Sequence, residues 1–232
     1  RLDSIFAQDY ANKEVILLDD ASTDESRTIF NEYAARPEVK HVILNDANSG
    51  NTFIQWEKGL SLATGDYIWI AESDDVADSR LVSQLVGALE QSEAMIAFAH
   101  SEWIDERGVV IPRNRDKQWS EDFVMDGVSF VKKYLLGYSY ICNASAVLFR
   151  RSALSGVDMK SVQQYSASGD RLFWISLALQ GQVAYLSASL NRFRQHTNKV
   201  SGGAEYEGRN IIQDYAIYTQ IAPRLSMSRC EQ

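Results

Sequence analysis

Short apolar runs alternate with longer amphipathic segments along the first hundred residues of the chain. The runs have the length of strands buried on both faces of a sheet, and in the longer segments apolar residues recur at helical spacing. This pattern predicts strands at 15–18, 41–44, 67–71 and 95–99, and helices at 23–35, 53–63 and 79–90. Such alternation favours right-handed β-α-β crossovers, so we expect an α/β protein with a mostly parallel sheet flanked by helices.

The second half of the chain begins with a polar stretch and then returns to the same alternation. Within 101–119, Arg107-Gly108 has the form of a hairpin turn, and the charged run 113–117 indicates a solvated excursion or flap. The pattern beyond predicts helices at 128–136, 170–180 and 205–221, and strands at 144–149 and 183–186. We expect a short antiparallel portion of the sheet here.

The length and the continuity of this pattern favour one domain. The chain has 232 residues, and no internal repeat of fixed period is visible. We expect a single domain over 1–221, made of halves at 1–100 and 101–204 and a helix at 205–221, followed by a tail at 222–232. The opening eight residues resemble the middle of an amphipathic helix with no strand before it, so we expect the sequence to begin inside a fold.

Net charge and cysteine content limit the binding partners and the cellular compartment that we expect. The net charge is -8 and the basic residues are scattered, so nucleic acid is not expected as a partner, and a phosphate-bearing ligand would need a cation beside carboxylates. Cys142 and Cys230 lie far apart in the sequence and fit neither a disulfide framework nor a metal-ligand spacing.

The sequence has no apolar run long enough to span a membrane and no signal-peptide pattern. We therefore expect a cytoplasmic protein, free or at the inner face of the cell membrane.

Two acidic clusters follow predicted strands. Asp19-Asp20 ends one strand and Glu72-Ser73-Asp74-Asp75 ends another, the position where an open α/β sheet binds its ligand. Unpaired carboxylates would repel each other there, and Mg²⁺ or Mn²⁺, bridging them to a diphosphate, resolves the repulsion. The alternative is that these acids cap the helices that follow.

The motifs together resemble glycosyltransferase family two. The likeness covers roughly residues 1–201 and rests on three segments in the same order and spacing: Leu17-Leu18-Asp19-Asp20-Ala21-Ser22-Thr23-Asp24, Asn48-Ser49-Gly50-Asn51, and 65–75 with its closing Glu72-Ser73-Asp74-Asp75. It implies a GT-A fold with a Rossmann-like sheet and inverting transfer from a nucleotide-diphosphate sugar, with a UDP-sugar favoured. It also implies a carbohydrate or lipid-linked glycan acceptor in bacterial surface-polysaccharide synthesis, at the membrane periphery or within a larger multidomain protein.

The resemblance assigns the donor-side residues. Asp20, with Asp19 beside it, contacts the nucleotide base, and Ser22 and Asn51 belong to the same nucleotide site. Two further residues come from the second cluster: Asp74 lies near the ribose and Asp75 ligates Mn²⁺ or Mg²⁺. Glu72 stands where many members have Asp, which makes it a doubtful direct ligand that acts through water.

The acceptor side has one expected catalytic residue. The segment 168–174 matches the family's acid at the start of a helix, which implies that Asp170 is the general base; its alternative is a helix N-cap. The segment 192–201 resembles the family's late Arg-x-His motif. It implies that His196 binds metal or phosphate and that Arg194 pairs with phosphate, although a structural histidine and a surface arginine are equal alternatives.

Other residues carry weaker signals. Trp103, Trp119 and Trp174 could stack on sugar rings or belong to the core, and Trp174 is the one beside the expected base. Asn143 begins a glycosylation triplet that we interpret as incidental.

The competing function is a nucleotide-sugar-binding or scaffolding domain without turnover, which the presence of Asp170, Asp74 and Asp75 disfavours. Phosphotransfer by a dehalogenase-like or receiver domain is disfavoured because the early acidic pair lacks the Asp-x-Asp pattern and the length is about twice that of a receiver domain.

Overall fold

The computed structural model describes residues 1–112, 119–195 and 204–225 of the chain. Its helices are α1 Leu2–Phe6, α2 Ser26–Ala34, α3 Thr52–Leu62, α4 Leu81–Ser92, α5 Gly127–Phe130, α6 Met159–Gln163, α7 Gly169–Ala178 and α8 Ala204–Ile221. Its strands are β1 Val15–Asp19, β2 Val39–Leu44, β3 Tyr67–Trp69, β4 Val76–Ala77, β5 Ile96–Ile104, β6 Phe123–Asp126, β7 Val147–Arg150 and β8 Gln182–Arg194. Among the helices of these segments, none combines the length and apolar character that crossing a bilayer requires.

The strands form a parallel pair and a larger mixed sheet. β1 and β2 are parallel, and the other strands are ordered β3-β7-β5-β8-β4, with β6 added against β8. In the larger sheet β5 and β8 are parallel, whereas β3–β7, β5–β7, β4–β8 and β6–β8 are antiparallel. The α/β class with a mixed sheet flanked by helices is confirmed.

The antiparallel share is larger than the short portion that the sequence pattern suggests. β7 lies between β3 and β5 and runs opposite to both. β8 is 13 residues long and extends far beyond the predicted 183–186, so that its first part pairs with β6 and its last part with β4. The apolar pattern identifies extended segments, but the direction of pairing depends on how distant segments pack.

Residues that alternate along β5 divide the core between the two faces of the sheet. Ile96 and Phe98 belong to the larger cluster with α7, while Ala97 and Ala99 face α4. This is the period of two that a strand imposes on its side chains. On α4, the residues 81, 85 and 89 recur every four positions and are fully buried, as the helical pattern predicts.

The β1–β2 pair is attached through side-chain packing. Val15 and Leu17 of β1 form a small cluster with Ile5 of α1, and Trp69 and Ala71 from β3 and its end pack against it. The ends of β1 and β3 therefore lie on neighbouring parts of the molecule.

Several predicted elements differ in their details. The helix expected at 128–136 begins as α5 and continues as a π-helical turn, Val131–Leu135, and the strand expected at 144–149 begins as a 3-10 turn, Ala144–Ala146. The turn at Arg107-Gly108 is confirmed: Gly108 has a φ of 84°, and Ile104 pairs with Val110 across it. The charged run 113–117 lies outside the described residues.

A glycine contact at the start of α5 yields a stability prediction. A Cβ added at Gly127 would lie 1.8 Å from the carbonyl oxygen of Ala178 and 2.2 Å from that of Gly181. We expect Gly127→Ala to lower the free energy of unfolding by about 3 kcal/mol, because backbone of two elements must move apart. The measurement is thermal unfolding followed by circular dichroism.

Gly87→Ala is the matched control. Gly87 lies inside α4, and a Cβ added there would meet nothing within 4 Å, so alanine should stabilise the helix by about 0.5–1 kcal/mol. Equal unfolding midpoints for the two variants would contradict the packing described at Gly127.

Candidate functional site

Asp19 is the last residue of β1 and Asp20 follows it, and their carboxylates bind different partners. The Asp19 carboxylate is 3% exposed; it accepts hydrogen bonds from the Ser22 backbone N–H at 3.2 Å and from Arg27 Nε at 2.8 Å. Burial alone would raise the pKa of Asp19, but these hydrogen bonds and the Arg27 charge lower it overall. Directly after the acidic pair, Ala21 has a φ of 62°, a left-handed conformation that is strained for a residue other than glycine.

The Asp20 carboxylate organises the turn before α3. It accepts from Asn45 Nδ2 at 2.7 Å, from Ser49 Oγ at 2.7 Å and from Gln55 Nε2 at 2.8 Å. The Ser49 backbone N–H adds a contact at 3.0 Å. Burial opposes ionisation, but the donors and the Lys58 charge lower the pKa of Asp20, so this carboxylate is ionised at neutral pH.

Asn51 lies at the start of α3, and Ser22 lies in the turn after β1. The Asn51 Oδ1 caps α3 by accepting from the Phe53 N–H at 2.9 Å, and its Nδ2 donates to the Gln163 carbonyl of α6 at 2.9 Å. Ser22 is exposed. The structure thus places Asp19, Asp20 and Ser22 directly after β1 and Asn51 at the start of α3, with the Asn51 side chain engaged within the protein.

Glu72 follows β3 and faces the aromatic side of the core. Its Oε1 accepts from Trp56 Nε1 at 3.1 Å, and its backbone N–H donates to Ser145 Oγ at 3.1 Å. Burial raises the pKa of Glu72 to about 7; the Trp56 hydrogen bond opposes this, and the charges of Asp74 and Asp75 add to it.

Asp75 is the deepest carboxylate of the cluster, at 1% exposed. Its Oδ2 accepts from Asn143 Nδ2 at 2.5 Å, and its Oδ1 accepts from the Arg194 backbone N–H at 3.0 Å. Burial raises the pKa of Asp75, while hydrogen bonds from Ser145 and Arg194 lower it. Asp74 is half-buried beside it.

A buried polar network supports Asp75 from behind. The Asn143 Oδ1 accepts from Ser101 Oγ at 3.2 Å and from Asn191 Nδ2 at 3.3 Å, and Asn191 Nδ2 also reaches Ser101 Oγ at 3.1 Å. The sequence does not predict this hydrogen-bond network. In the sequence, Asn143 is visible only as the first residue of a glycosylation triplet that we interpret as incidental. A buried Asn has no signal in a single sequence, because its partners come from β5 and β8.

The Arg194 side chain connects the loop after β3 with the turn after β5 through hydrogen bonds. Its Nε donates to the Asp74 carbonyl at 2.8 Å, and its Nη1 donates to the carbonyls of Asp105 at 2.7 Å and Glu106 at 2.9 Å. Arg1 is a second cation that sequence reasoning missed. Burial lowers the pKa of Arg1 to about 10, and the charges of Asp75, Glu72 and Asp74 oppose that shift.

Asp170 lies in the first turn of α7. Burial raises the pKa of Asp170 to about 6, the hydrogen bond and the charge of Arg171 lower it, and Asp214 raises it. Arg171 pairs with Asp214 of α8 at 2.9 Å, so α8 fixes the start of α7.

Trp56 connects α7 with the second acidic cluster. Its ring packs against Phe173 and Trp174 at centroid distances of 5.4 and 5.7 Å, while its Nε1 reaches Glu72. Trp174 is fully buried, so it belongs to the core and offers no face to a sugar.

The acidic donors suit a hard cation shared with a diphosphate. Within the described ranges no group of three or more His, Cys, Asp or Glu side chains is gathered in a cage, and His196 lies outside those ranges. Mg²⁺ typically takes one or two carboxylates together with phosphate oxygens, so Asp75 has the type of donor that such an ion takes. Their charges raise the pKa of Glu72, and a bound cation would relieve this repulsion.

Comparison with known proteins identifies glycosyltransferases among the relatives of the chain. The chain is 30% identical over 99 residues to the glycosyltransferase GlyG of Streptococcus pneumoniae serotype 4, covering 43% of this chain and 33% of that protein. It is 26% identical over 194 residues to the poly(ribitol-phosphate) beta-glucosyltransferase of Bacillus spizizenii, covering 83% of this chain and 29% of that protein. The chain thus spans about a third of the length of these two relatives.

The fold has a counterpart among solved structures. S. aureus TarS 1-349 in complex with UDP-GlcNAc matches with a TM-score of 0.69 at 16% identity, over 99% of this chain and 69% of that chain. At this identity the likeness concerns the fold, and it confirms the expected GT-A architecture.

The family model described as Glycosyl transferase family 2 matches residues 1–157. Because this match covers more than half of the chain, the protein belongs to glycosyl transferase family 2.

Proposed function

We propose that this chain is the catalytic domain of an enzyme that transfers a sugar, with inversion, from a nucleotide-diphosphate sugar to a hydroxyl acceptor in bacterial cell-surface glycan synthesis. The observation that carries the proposal is that neighbouring residues of α3 contact both acidic loops of a family 2 domain: Gln55 donates to Asp20 after β1, and Trp56 donates to Glu72 after β3. Trp56 also packs against Trp174 of the helix that carries Asp170. The names of the relatives, a glycosyltransferase and a poly(ribitol-phosphate) glucosyltransferase, agree with it.

The donor would lie against the first half of the chain. In this proposal the ionised Asp20, with Asp19 beside it, faces the base, Ser22 and Asn51 complete the nucleotide site, and Asp74 faces the ribose. A UDP-sugar is favoured because TarS, which shares the fold, has been solved with UDP and with UDP-GlcNAc.

Asp75, and His196 beyond the described residues, would hold a Mn²⁺ or Mg²⁺ ion. Such an ion stabilises negative charge on a departing diphosphate. The protein contributes the orientation of Asp75, since Asn143 and the Arg194 N–H fix both of its oxygens. Arg194 itself holds the loop that carries Asp74, which supports a positioning role and not direct phosphate binding.

Asp170 would be the general base. As the acceptor oxygen bonds to the anomeric carbon, the bond from that carbon to the diphosphate oxygen breaks with its electron pair, and the acceptor proton passes to Asp170. A base works best when its pKa lies near the working pH, and the raised pKa of about 6 suits that task.

The first prediction concerns donor binding. Calorimetric titration of UDP, GDP and dTDP, with and without Mn²⁺, should give metal-dependent binding of one nucleotide, with UDP expected. Asp75→Ala and Asp75→Asn should each weaken that binding at least about tenfold, because a ligand of the bridging ion is lost. Circular dichroism shows whether each variant is folded.

Glu32→Ala is the control, since it removes an exposed carboxylate from α2. It should bind the nucleotide as the unaltered protein does. If none of the three nucleotides binds to the folded protein, the donor-site assignment is wrong and a scaffolding role replaces it.

The second prediction concerns Asp170. Asp170→Asn should lower the rate of UDP release from UDP-GlcNAc or UDP-glucose by roughly 10²–10⁴-fold, because the variant cannot accept the proton. UDP affinity should stay unchanged. Asp158→Asn is the control, because asparagine can still cap α6 as Asp158 does.

The third prediction is the pH profile of the same reaction. The base acts only when deprotonated, so the rate should fall about tenfold per pH unit below a pKa near 6 and level off above it. This acidic limb should disappear in Asp170→Asn. A limb that persists unchanged in the variant would assign the titration to another group.

A further inference from the structure

A cavity of about 320 Å³ lies between β5, β8 and the segment at 140–142, apart from the loops assigned to the donor. Its volume falls in the range of small-molecule sites, about 300–1,000 Å³. Four aromatic residues form part of its lining: Phe98, Trp119, Tyr140 and Tyr185. Proposals about the nucleotide, the cation and the base use none of these residues.

The described residues that line the cavity favour a neutral ligand over an anionic one. Besides the aromatic rings, the cavity is lined by His100, Ser101 and Cys142 and by small or aliphatic residues. Within the described residues, no Lys, Arg, Asp or Glu lines it. Among these described lining residues a phosphate or a carboxylate ligand finds no counter-charge, and desolvating it against them is costly. A pyranose ring fits, because its C–H faces pack on aromatic rings and its hydroxyl edge meets polar side chains.

The aromatic wall is preformed. The Trp119 ring contacts those of Tyr185 and Tyr140 at centroid distances of 4.9 and 5.5 Å, and Tyr134 supports it at 5.0 Å. The Tyr185 hydroxyl donates to the Trp119 carbonyl at 3.4 Å. Trp119 itself is half-buried, so its ring is held in place without being closed into the core.

The cavity is adjacent to the acidic cluster. Ser101 lines it and donates to Asn143, and Asn143 donates to Asp75. Two hydrogen bonds thus separate the wall of the cavity from the carboxylate placed at the diphosphate. The lining residues come from 98–185, whereas the residues assigned to the nucleotide come from 19–74.

We propose that this cavity is a subsite for a neutral sugar ring of the acceptor glycan, with the half-buried Trp119 and Tyr140 as its stacking wall. The buried Tyr185 packs against Trp119 and supports that wall. The assignment of the ring to the acceptor rests on the proposed function; the presence of a neutral-sugar site does not. It gives Trp119, one of the tryptophans singled out in the sequence, a binding role, in contrast to the buried Trp174.

Cys142 provides a reporter that needs no activity assay. It is an exposed cysteine on the lining of the cavity. In a Cys230→Ser background, the rate of its alkylation by iodoacetamide is measured alone, with UDP, with UDP-GlcNAc, and with neutral methyl glycosides or oligosaccharides. We expect at least one neutral saccharide to slow the reaction about tenfold at saturation, and UDP to leave it unchanged.

Cys142→Phe tests the same cavity through function. The larger ring should occupy the cavity and raise the KM for a saccharide acceptor about tenfold or more, with UDP affinity unchanged. Val128→Phe, at an exposed position on α5, is the control for adding an exposed ring, and circular dichroism reports on folding.

The outcomes separate this proposal from the donor-site proposal. Protection by a saccharide together with no nucleotide binding would keep the sugar site and overturn the transferase. Nucleotide binding with no protection by any saccharide, together with an unchanged acceptor KM in Cys142→Phe, would overturn the subsite alone. Protection by UDP-GlcNAc but by no free saccharide would assign the cavity to the donor sugar and overturn the acceptor assignment.

Discussion

The burial of the Asp75 carboxylate is the constraint on which the candidate site depends. A buried carboxylate without partners costs several kcal/mol, so both of its oxygens must be satisfied. Here Asn143 and the Arg194 N–H provide the donors, and Ser101 and Asn191 in turn hold Asn143. These partners belong to β5, β8 and the segment before β7, so the network fixes the loop after β3 against three other parts of the fold.

Aromatic packing is the second link between distant parts of the site. The ring of Trp56, on α3, packs against Phe173 and Trp174 of α7, and its Nε1 donates to Glu72 in the loop after β3. Trp56 therefore connects that loop to the helix that carries Asp170. The Arg171–Asp214 pair also binds α7 to α8. Asp170 therefore lies on an element that is held by two other helices, which suits a residue that must keep a fixed orientation.

Electrostatics divide the carboxylates into two groups. Asp19 and Asp20 have lowered pKa values because nearby donors and cations stabilise their charged forms. Glu72, Asp75 and Asp170 have raised pKa values, in each case chiefly through burial. Environments that separate the pKa values of like groups are typical of sites in which those groups have different tasks. The first group stays ionised and holds loops, whereas the second is poised to respond to a cation or a proton.

The sequence by itself determined the α/β class, most of the helices and strands, and the clustering of acids after β1 and β3, because apolar periodicity and strand-end chemistry are local properties. It also identified the family through motifs that lie within short segments. It did not determine the antiparallel neighbours of β7 and β8, the short strands β4 and β6, the helix α6, or the network around Asn143. Trp119 and Trp174 look alike in the sequence, yet one lines a cavity and the other is buried in the core. Only tertiary structure decided these points, because strand direction, burial and hydrogen-bond partners depend on contacts between residues far apart in the chain.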